Sequence, residues 1–335
     1  MAVRDPPPAR GAQAAMGKGT STGTTAGRSV AASLGAVELA SQAPRAMAET
    51  RENALARRGF IADTVAPRAL LGDGPLCVGI RPMPPRTFAI GDVHGALDHL
   101  DRLLARLPSL NEEDTLLFLG DYLDRGPRSR EVVARVRGLQ REARCNVVAL
   151  RGNHEDAWLR VIDAGWDGFL FPPGNGCLTT YRSYTGGATP ARGEFPTMEE
   201  FEAMRRGAFL PDDVVAWMRG LPFWHEDPHA IYVHAGLIEH EGRWLHPREH
   251  TDPSPMLWTR TLRFFRTYRG TRVVVGHTRA ETLPTELSHY TPGDTKDLWA
   301  GECVAAIDTG SGSEGGFLTA LELPALRVYE SRDPA

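Results

Sequence analysis

Residues 87–95, TFAIGDVHG, decide the fold. A short and largely apolar run, TFAI, leads into a polar motif in which Gly91 and Gly95 flank Asp92 and His94. Such a run, bounded by polar and turn-forming residues, predicts a buried β-strand. Residues 96–107 then carry leucine at helical spacing, which predicts a helix directly after the loop. The chain therefore begins a strand–loop–helix pattern at Thr87.

The same pattern recurs twice more. The apolar run 115–119 precedes GDYLDRG (120–126), the run 146–150 precedes RGNHE (151–155), and a helix is predicted after each. Four later apolar runs, at 230–233, 272–275, 303–308 and 317–323, come without long helices between them, which predicts a second and more antiparallel sheet. We therefore predict an α/β fold with two packed mixed β-sheets flanked by helices.

The first part of the chain differs from this pattern. Residues 1–84 are rich in Ala, Gly, Ser, Thr and Arg and contain one aromatic residue, Phe60. Because such a segment buries little apolar surface, it is predicted to be a low-complexity, largely disordered N-terminal extension. The alternative interpretation is an organelle transit peptide. The folded domain is assigned to residues 85–330.

Charge and cysteine content narrow the function classes. The 335 residues carry a formal net charge of −4, so no overall positive field favours nucleic acid or a membrane as a partner. No apolar run approaches the roughly 18 residues that a membrane span needs. The four cysteines form no C-x-x-C pair, which argues against a thiolate zinc site and fits a reducing, cytoplasmic location.

Five polar motifs each follow a predicted strand: GDVHG, GDYLDRG, GNHE (152–155), VHAG (233–236) and GHT (276–278). Taken singly, each has an ordinary structural explanation, such as a helix N-cap for Asn153. Taken together, they place Asp, Asn and His side chains at strand ends, which share one crevice in an α/β sheet. Oxygen and imidazole ligands without thiolate suit Mn, Fe, Zn or similar ions.

These motifs resemble those of the calcineurin-like metallophosphoesterases, and within them the phosphoprotein phosphatase family. The resemblance is strongest to bacterial and phage serine/threonine phosphatases and to bis(nucleosyl)tetraphosphatases. It is supported by Leu-Trp-Thr-Arg (257–260) and Ile-Asp-Thr-Gly (307–310), and it spans about residues 86–325. It implies a metallophosphoesterase catalytic domain of four layers over residues 85–330.

The resemblance also implies two divalent metal ions, with Mn²⁺ expected and Fe or Zn as alternatives. One carboxylate, Asp121, would bind both ions. The remaining implied ligands are Asp92 and His94 for the first ion, and Asn153, His234 and His277 for the second.

The remaining roles concern the phosphate. By the same resemblance Arg125 and Arg260, with Asn153, would bind its oxygens, and His154 would be the general acid, oriented by Asp124. Chemistry gives each residue type a reason: an arginine fork matches phosphate oxygens, and a histidine can protonate a leaving alkoxide near neutral pH. Two metals about 3.5–4 Å apart can hold a bridging hydroxide for direct attack.

The predicted function is therefore hydrolysis of phosphate monoesters, foremost phosphoserine and phosphothreonine in proteins. The alternative is hydrolysis of dinucleoside polyphosphates, which uses the same metal core. A purine-stacking wall in residues 165–226 would favour nucleotides, and an open groove would favour phosphoprotein. The expected partner is a phosphorylated protein or small phosphoester, with no nucleic acid and no membrane; oligomeric state stays open. A binding module without catalysis is disfavoured because no implied ligand is missing.

Overall fold

The computed structural model describes residues 85–290 and 294–333, so the predictions for residues 1–84 lie outside the described residues. The strands form two five-stranded sheets and one hairpin. The first sheet contains β1 (Thr87–Ile90), β2 (Thr115–Phe118), β3 (Asn146–Ala149), β11 (Thr319–Leu323) and β12 (Arg327–Glu330). The second contains β4 (Trp224–Glu226), β5 (Ile231–Val233), β8 (Val273–Val275), β9 (Trp299–Ala300) and β10 (Val304–Ala306); the hairpin is β6 (Glu239–His240) and β7 (Arg243–Trp244).

Both sheets are mixed. The first has the order β12-β11-β1-β2-β3, in which β1, β2 and β3 are parallel and the other two strands add antiparallel. The second has the order β4-β5-β8-β10-β9, in which the three central strands are parallel and both edges are antiparallel. The α/β prediction with two mixed sheets is confirmed.

One detail of that prediction is wrong. The second sheet is not more antiparallel than the first, because each sheet has two parallel and two antiparallel strand pairs. The run 317–323 does not join the second sheet. It pairs antiparallel with β1, with Thr87 opposite Leu323. An apolar strand that is buried on both faces carries no sequence signal for which neighbour it pairs with.

Helices cover the outer faces of both sheets. The α-helices are α1 (Leu97–Arg106), α2 (Ser129–Glu142), α3 (Asn153–Ala164), α4 (Cys177–Thr185), α5 (Met198–Arg206), α6 (Asp212–Gly220), α7 (Ser254–Trp258) and α8 (Leu262–Thr267). Short 3₁₀ turns lie at Asp167–Phe169, Pro173–Asn175, Pro247–Glu249, Ala280–Thr282 and Thr285–Leu287.

Side-chain alternation along the strands builds the four layers. Phe88 and Ile90 on β1 pack in one apolar cluster with leucines of α1 and valines of α2. Ala89, between them, belongs to a second cluster, which joins the inner faces of the two sheets through residues such as Val274. The outer face of the second sheet packs against Phe264 of α8. The order is therefore helices, sheet, sheet, helices.

Residues 165–226 hold three helices beside the first sheet. Helices α5 and α6 are separate, because Gly207 ends α5 with a φ of 64° and Pro211 precedes α6. Helix α4 carries Tyr181 and Tyr184, which pack against the core. No helix of the described residues is both long and apolar enough to cross a bilayer.

Candidate metal centre

The motif side chains meet at one edge of the molecule's two sheets. Each motif follows one of the strands that run parallel to one another in their sheet, and parallel strands end at the same edge. The first sheet supplies Asp92 and His94 after β1, Asp121 after β2, and Asn153 at the start of α3 after β3. The second sheet supplies His234 after β5 and His277 after β8. Fold topology thus brings all six proposed metal ligands together.

The loops that carry these side chains adopt unusual backbone conformations. Seven non-glycine residues of the described chain have positive φ, and five of them belong to the motifs. Such left-handed conformations are costly outside glycine, and they persist where surrounding structure enforces them, often at functional sites. The five are His94 (47°), Asp121 (54°), Asp124 (70°), Arg125 (63°) and His277 (61°).

Two motif glycines are needed for close approach rather than for flexibility. A Cβ atom on Gly152 would lie 2.1 Å from Oδ1 of Asp121. A Cβ atom on Gly276 would lie 2.1 Å from Oδ1 of Asp92. The glycines of GNHE and GHT therefore make room for the two carboxylates.

The first group of candidate ligand atoms comprises His94, Asp121 and His154, whose atoms lie within 4.8 Å of one another. Nε2 of His94 is 3.3 Å from Oδ2 of Asp121 and 3.8 Å from Oδ2 of Asp92. Its Nδ1 lies 2.9 Å from the carbonyl oxygen of Leu123, a contact that aims Nε2 at the carboxylates. Burial lowers the pKa of His94 well below its ordinary value, so the ring stays neutral, as a metal ligand must be.

The second group comprises Asp121, His234 and His277, again within 4.8 Å of one another. Nε2 of His234 is 3.5 Å from Oδ1 of Asp121. Oδ1 of Asn153 lies 2.9 Å from Nε2 of His234 and 2.7 Å from Nδ1 of His277. Nδ1 of His234 is held 2.9 Å from the carbonyl oxygen of Leu119. Burial lowers the pKa of both histidines.

This donor set fits a pair of divalent cations. Asp121 belongs to both groups, one oxygen facing each, and the other donors are imidazoles, a carboxylate and an amide oxygen. Asp92 accepts hydrogen bonds from the backbone N–H of His277 at 3.0 and 3.1 Å. Burial, followed by the charges of Asp308 and Asp121, raises the pKa of Asp92 well above its usual range. A cation among these carboxylates would relieve their repulsion.

His154 is oriented by a carboxylate that is itself fixed. Nδ1 of His154 is 2.6 Å from Oδ2 of Asp124. Trp158 Nε1 donates to Asp124 Oδ1 at 3.0 Å, and Thr180 Oγ1 donates to the same oxygen at 2.6 Å. The other ring nitrogen, Nε2, lies 3.4 Å from the Arg125 guanidinium. Trp158 could have been found from sequence as the i+4 neighbour of His154 on α3, whereas Thr180 carried no signal.

The two predicted phosphate-binding arginines both reach the site. Arg125 contacts Nε2 of His94 as well as His154, so it lies at the first group. Arg260 donates from Nη1 to the carbonyl oxygen of His277 at 2.9 Å, which places it beside the second group.

Glu155, the last residue of the GNHE motif, has no predicted role in metal binding or catalysis. Its Oε2 accepts hydrogen bonds from the backbone N–H groups of Asp121 (2.9 Å) and Gly152 (3.0 Å). Its Oε1 accepts from Tyr122 (2.8 Å) and Leu123 (3.3 Å). The side chain is fully buried and ties the loop after β2 to the start of α3.

The sequence profile of the calcineurin-like phosphoesterase family matches residues 85–280, more than half of the 335-residue chain. The chain belongs to this family. All ten residues predicted at the site fall inside the matched region: Asp92, His94, Asp121, Asp124, Arg125, Asn153, His154, His234, Arg260 and His277.

Relatives within this family include two kinds of bis(5'-nucleosyl)-tetraphosphatase. The symmetrical enzyme of Dechloromonas aromatica (strain RCB) is 30% identical over 152 residues, 45% of this chain and 44% of the relative. The asymmetrical PrpE of Bacillus thuringiensis (strain Al Hakam) is 25% identical over 274 residues, 71% of this chain and 91% of the relative. The chain thus spans less than half the length of the first relative.

Among solved structures, a metallophosphoesterase from Sphaerobacter thermophilus is similar over 75% of this chain and 88% of its own, with 18% identity and a TM-score of 0.44.

Proposed function

We propose that the protein is a dinuclear-metal phosphoesterase that hydrolyses phosphate monoesters, foremost phosphoserine and phosphothreonine in proteins. The observation that supports this choice is the Asp124–His154 pair, at 2.6 Å. A serine or threonine alkoxide is a strong base and leaves only when it is protonated, so a positioned imidazole is of most use with such a leaving group. A nucleoside phosphate leaves as a weaker base and needs this proton less.

The proposed metal ions are two divalent cations, Mn²⁺ first and Fe or Zn as alternatives. Bound, they would supply an activated water as nucleophile and polarise the phosphoryl group. We propose that Asp121 holds both ions, and that Arg125, Arg260 and Asn153 hold the phosphate oxygens. The remaining proposed ligands are Asp92, His94, His234 and His277.

The groove beside Arg125 also supports a protein substrate. It encloses about 960 Å³ and is lined by residues from the segments 170–179, 190–196 and 312–315. The described residues that line it include no aromatic residue, although the exposed Phe171 and Phe195 belong to the same segments. Trp166, which is partly exposed, stacks on Phe169 and packs edge-on against Trp258 instead of lining the groove. A phosphopeptide would fit such a groove, whereas a purine would find no aromatic ring to stack on among the residues that line it.

The second candidate function is hydrolysis of dinucleoside polyphosphates. It is supported by the names of both relatives, which are bis(nucleosyl)tetraphosphatases. We propose neither nucleic acid nor a membrane as a partner. We propose the cytoplasm as the location, with which the free cysteines Cys145, Cys177 and Cys303 agree.

A side-by-side assay tests the proposal. The full chain, supplied with Mn²⁺, should hydrolyse p-nitrophenyl phosphate and a phosphoserine peptide, and exhaustive chelation should abolish both activities. Diadenosine tetraphosphate is the competing substrate, and a ten-fold higher kcat/KM for it would favour the second candidate. Full activity after complete metal removal would contradict both. The activity is assigned to residues 85–330, so a chain that lacks residues 1–84 should retain it.

A further inference from the structure

The groove beside the candidate metal centre contains cations that the proposed chemistry leaves without a role. Arg279 and Lys296 line it together with Arg125. Lys296 is one of only two lysines in the chain, the other being Lys18. Its side chain is exposed, and no ion pair among the described residues involves it. An exposed, unpaired cation beside a phosphate site is available to a ligand.

The two carboxylates that line the groove pair with arginines other than Arg279, whereas Glu281, outside this lining, is 3.4 Å from Nη1 of Arg279. Glu194 is 2.6 Å from Nη2 of Arg182, and Glu314 is 2.7 Å from Nη1 of Arg192. Four cations line the groove against two carboxylates, so its lining carries an excess of positive charge in a chain whose formal net charge is −4. A local field of this sign attracts anions in spite of the negative total.

Arg279 is anchored through both terminal nitrogens of its guanidinium. Its Nη2 donates to Oγ of Ser313 at 2.6 Å, and its Nη1 lies 3.4 Å from Oε1 of Glu281. A guanidinium has five N–H donors, so this anchoring leaves donors for a ligand while it fixes the orientation of the fork.

Two glycines lie beside the two cations. A Cβ atom on Gly310 would lie 3.7 Å from Cζ of Arg279, and one on Gly315 would lie 3.1 Å from Nζ of Lys296. Both glycines have positive φ, 78° and 70°. Positive φ, which glycine adopts readily, accounts for glycine at these two positions.

We propose that Arg279 and Lys296 form a second phosphate-binding subsite in this groove. The substrate class is then a phosphoester that carries at least one phosphate group besides the one that is hydrolysed. The arginine fork would hold two oxygens of that group and the ammonium would add a point charge. This inference rests on the proposed function of the site next to Arg125 and narrows its substrates.

Inhibition by phosphates of different length tests the subsite. With p-nitrophenyl phosphate as the reporter and excess Mn²⁺, inhibition constants are measured for orthophosphate, which has one phosphate, and for inorganic tripolyphosphate, which has three. In Lys296→Gln and Arg279→Gln the ratio of the tripolyphosphate constant to the orthophosphate constant should rise about ten-fold, and further in the double variant. In Lys296→Arg, which keeps the positive charge, the ratio should stay close to that of the wild type. Arg135→Gln, which removes an exposed charge on α2, should leave it unchanged.

Two further substrates distinguish whether the second phosphate belongs to a nucleotide or to a peptide. Diadenosine tetraphosphate carries linked phosphates, and a peptide with two adjacent phosphoserines carries separate ones; a singly phosphorylated peptide is the reference for both. The substrate whose kcat/KM falls most in Lys296→Gln, relative to this reference, is the one whose second phosphate occupies the subsite. Metal chelation by tripolyphosphate affects all variants equally and cancels in the comparison.

An unchanged ratio in the double variant, or an equal rise in both constants, would overturn the subsite. Failure of the proposed function looks different, because the wild type would then hydrolyse no phosphate monoester. In that case calorimetric titration of tripolyphosphate into the wild type and Lys296→Gln still decides the subsite. Equal affinities would reject it, and weaker binding by the variant would support it.

Discussion

The carboxylate of Glu155 accepts the backbone N–H of Asp121 at 2.9 Å and so holds the loop that carries the shared candidate ligand. The same carboxylate holds Tyr122 and Leu123, the next two residues of this loop. Because Asp121 has a φ of 54°, a sparsely populated conformation, the loop needs support from outside. Glu155 therefore acts as a positioning residue for Asp121.

We predict that Glu155→Gln weakens metal binding by about 10–100-fold, the range typical for residues that support a ligand. The substitution replaces one acceptor oxygen with an NH₂ group that faces backbone N–H donors, so at least one N–H loses its partner. Metal titration and thermal unfolding measure the two consequences. Glu142→Gln, on the exposed end of α2, is the control. If unfolding changes while metal affinity does not, Glu155 serves the fold alone.

The strands before the motifs were predictable because each is a short apolar run that leads into a polar motif containing glycine. That pattern also located the six proposed ligands, since the ends of parallel strands share an edge. The support around them was less predictable. Thr180 lies 56 residues from the Asp124 carboxylate to which it donates, and Glu155 bonds to backbone atoms, which carry no sequence signature. The place of β11 beside β1 followed from packing of the whole molecule.

The shared position of Asp121 leads to a second prediction. Asp121 contributes to both ligand groups, whereas Asp92 belongs to neither group and lies 3.8 Å from Nε2 of His94. Neutralising Asp121 should weaken both metal sites and leave two cations less screened. The activity of Asp121→Asn should therefore be lower than that of Asp92→Asn by about ten-fold or more. Elemental analysis after gel filtration should find metal lost from both sites in the first variant and from one in the second.

Asp101→Asn, on the exposed face of α1, is the matched control for charge removal. Equal and modest defects in the two site variants, with the same metal content, would argue against a shared ligand.

Asp297 leads to a prediction about stability and pH. Burial, followed by its hydrogen bond to Glu330, raises the pKa of Asp297 from about 3.8 to about 7. Between these pH values the unfolded chain releases a proton that the folded chain keeps, so the free energy of unfolding falls as pH rises. This contribution is complete below about pH 4 and lost above about pH 7. Asp297→Asn removes the titration and should be more stable than wild type at pH 8, by about 1–3 kcal/mol.

Urea unfolding of both proteins from pH 5 to pH 8 measures this effect. The advantage of Asp297→Asn should grow steadily with pH, and Asp333→Asn, at an exposed aspartate, should show no such trend. A constant difference across the range would mean that the pairing of Asp297 with Arg332, at 3.3 Å, keeps the carboxylate ionised throughout.

The last prediction separates acid catalysis from metal binding at His154. Its Nε2 lies 3.9 Å from Oδ2 of Asp121, close enough that the ring could be a ligand instead of an acid. If His154 protonates the leaving oxygen, its effect depends on how basic that oxygen is. General acid catalysis contributes about 10²–10⁴-fold, so His154→Ala should lose most of that factor on a phosphoserine peptide or an alkyl phosphate. p-Nitrophenolate leaves without help, so p-nitrophenyl phosphate should lose much less.

Substitution of residues that act through His154 should produce the same dependence of kcat on the leaving group. Asp124→Asn and Thr180→Val should show a milder form of the pattern, because they misorient the imidazole without removing it. The measurement is kcat across leaving groups of graded pKa, with metal content determined for every variant and the exposed His240→Ala as control. If kcat of His154→Ala depends more steeply on leaving-group pKa than kcat of the wild type, and the metal content is unchanged, His154 is the general acid. If His154→Ala slows every substrate by the same factor, or loses a metal ion, His154 is a ligand or a charge stabiliser, and the argument for alkyl phosphate esters loses its support.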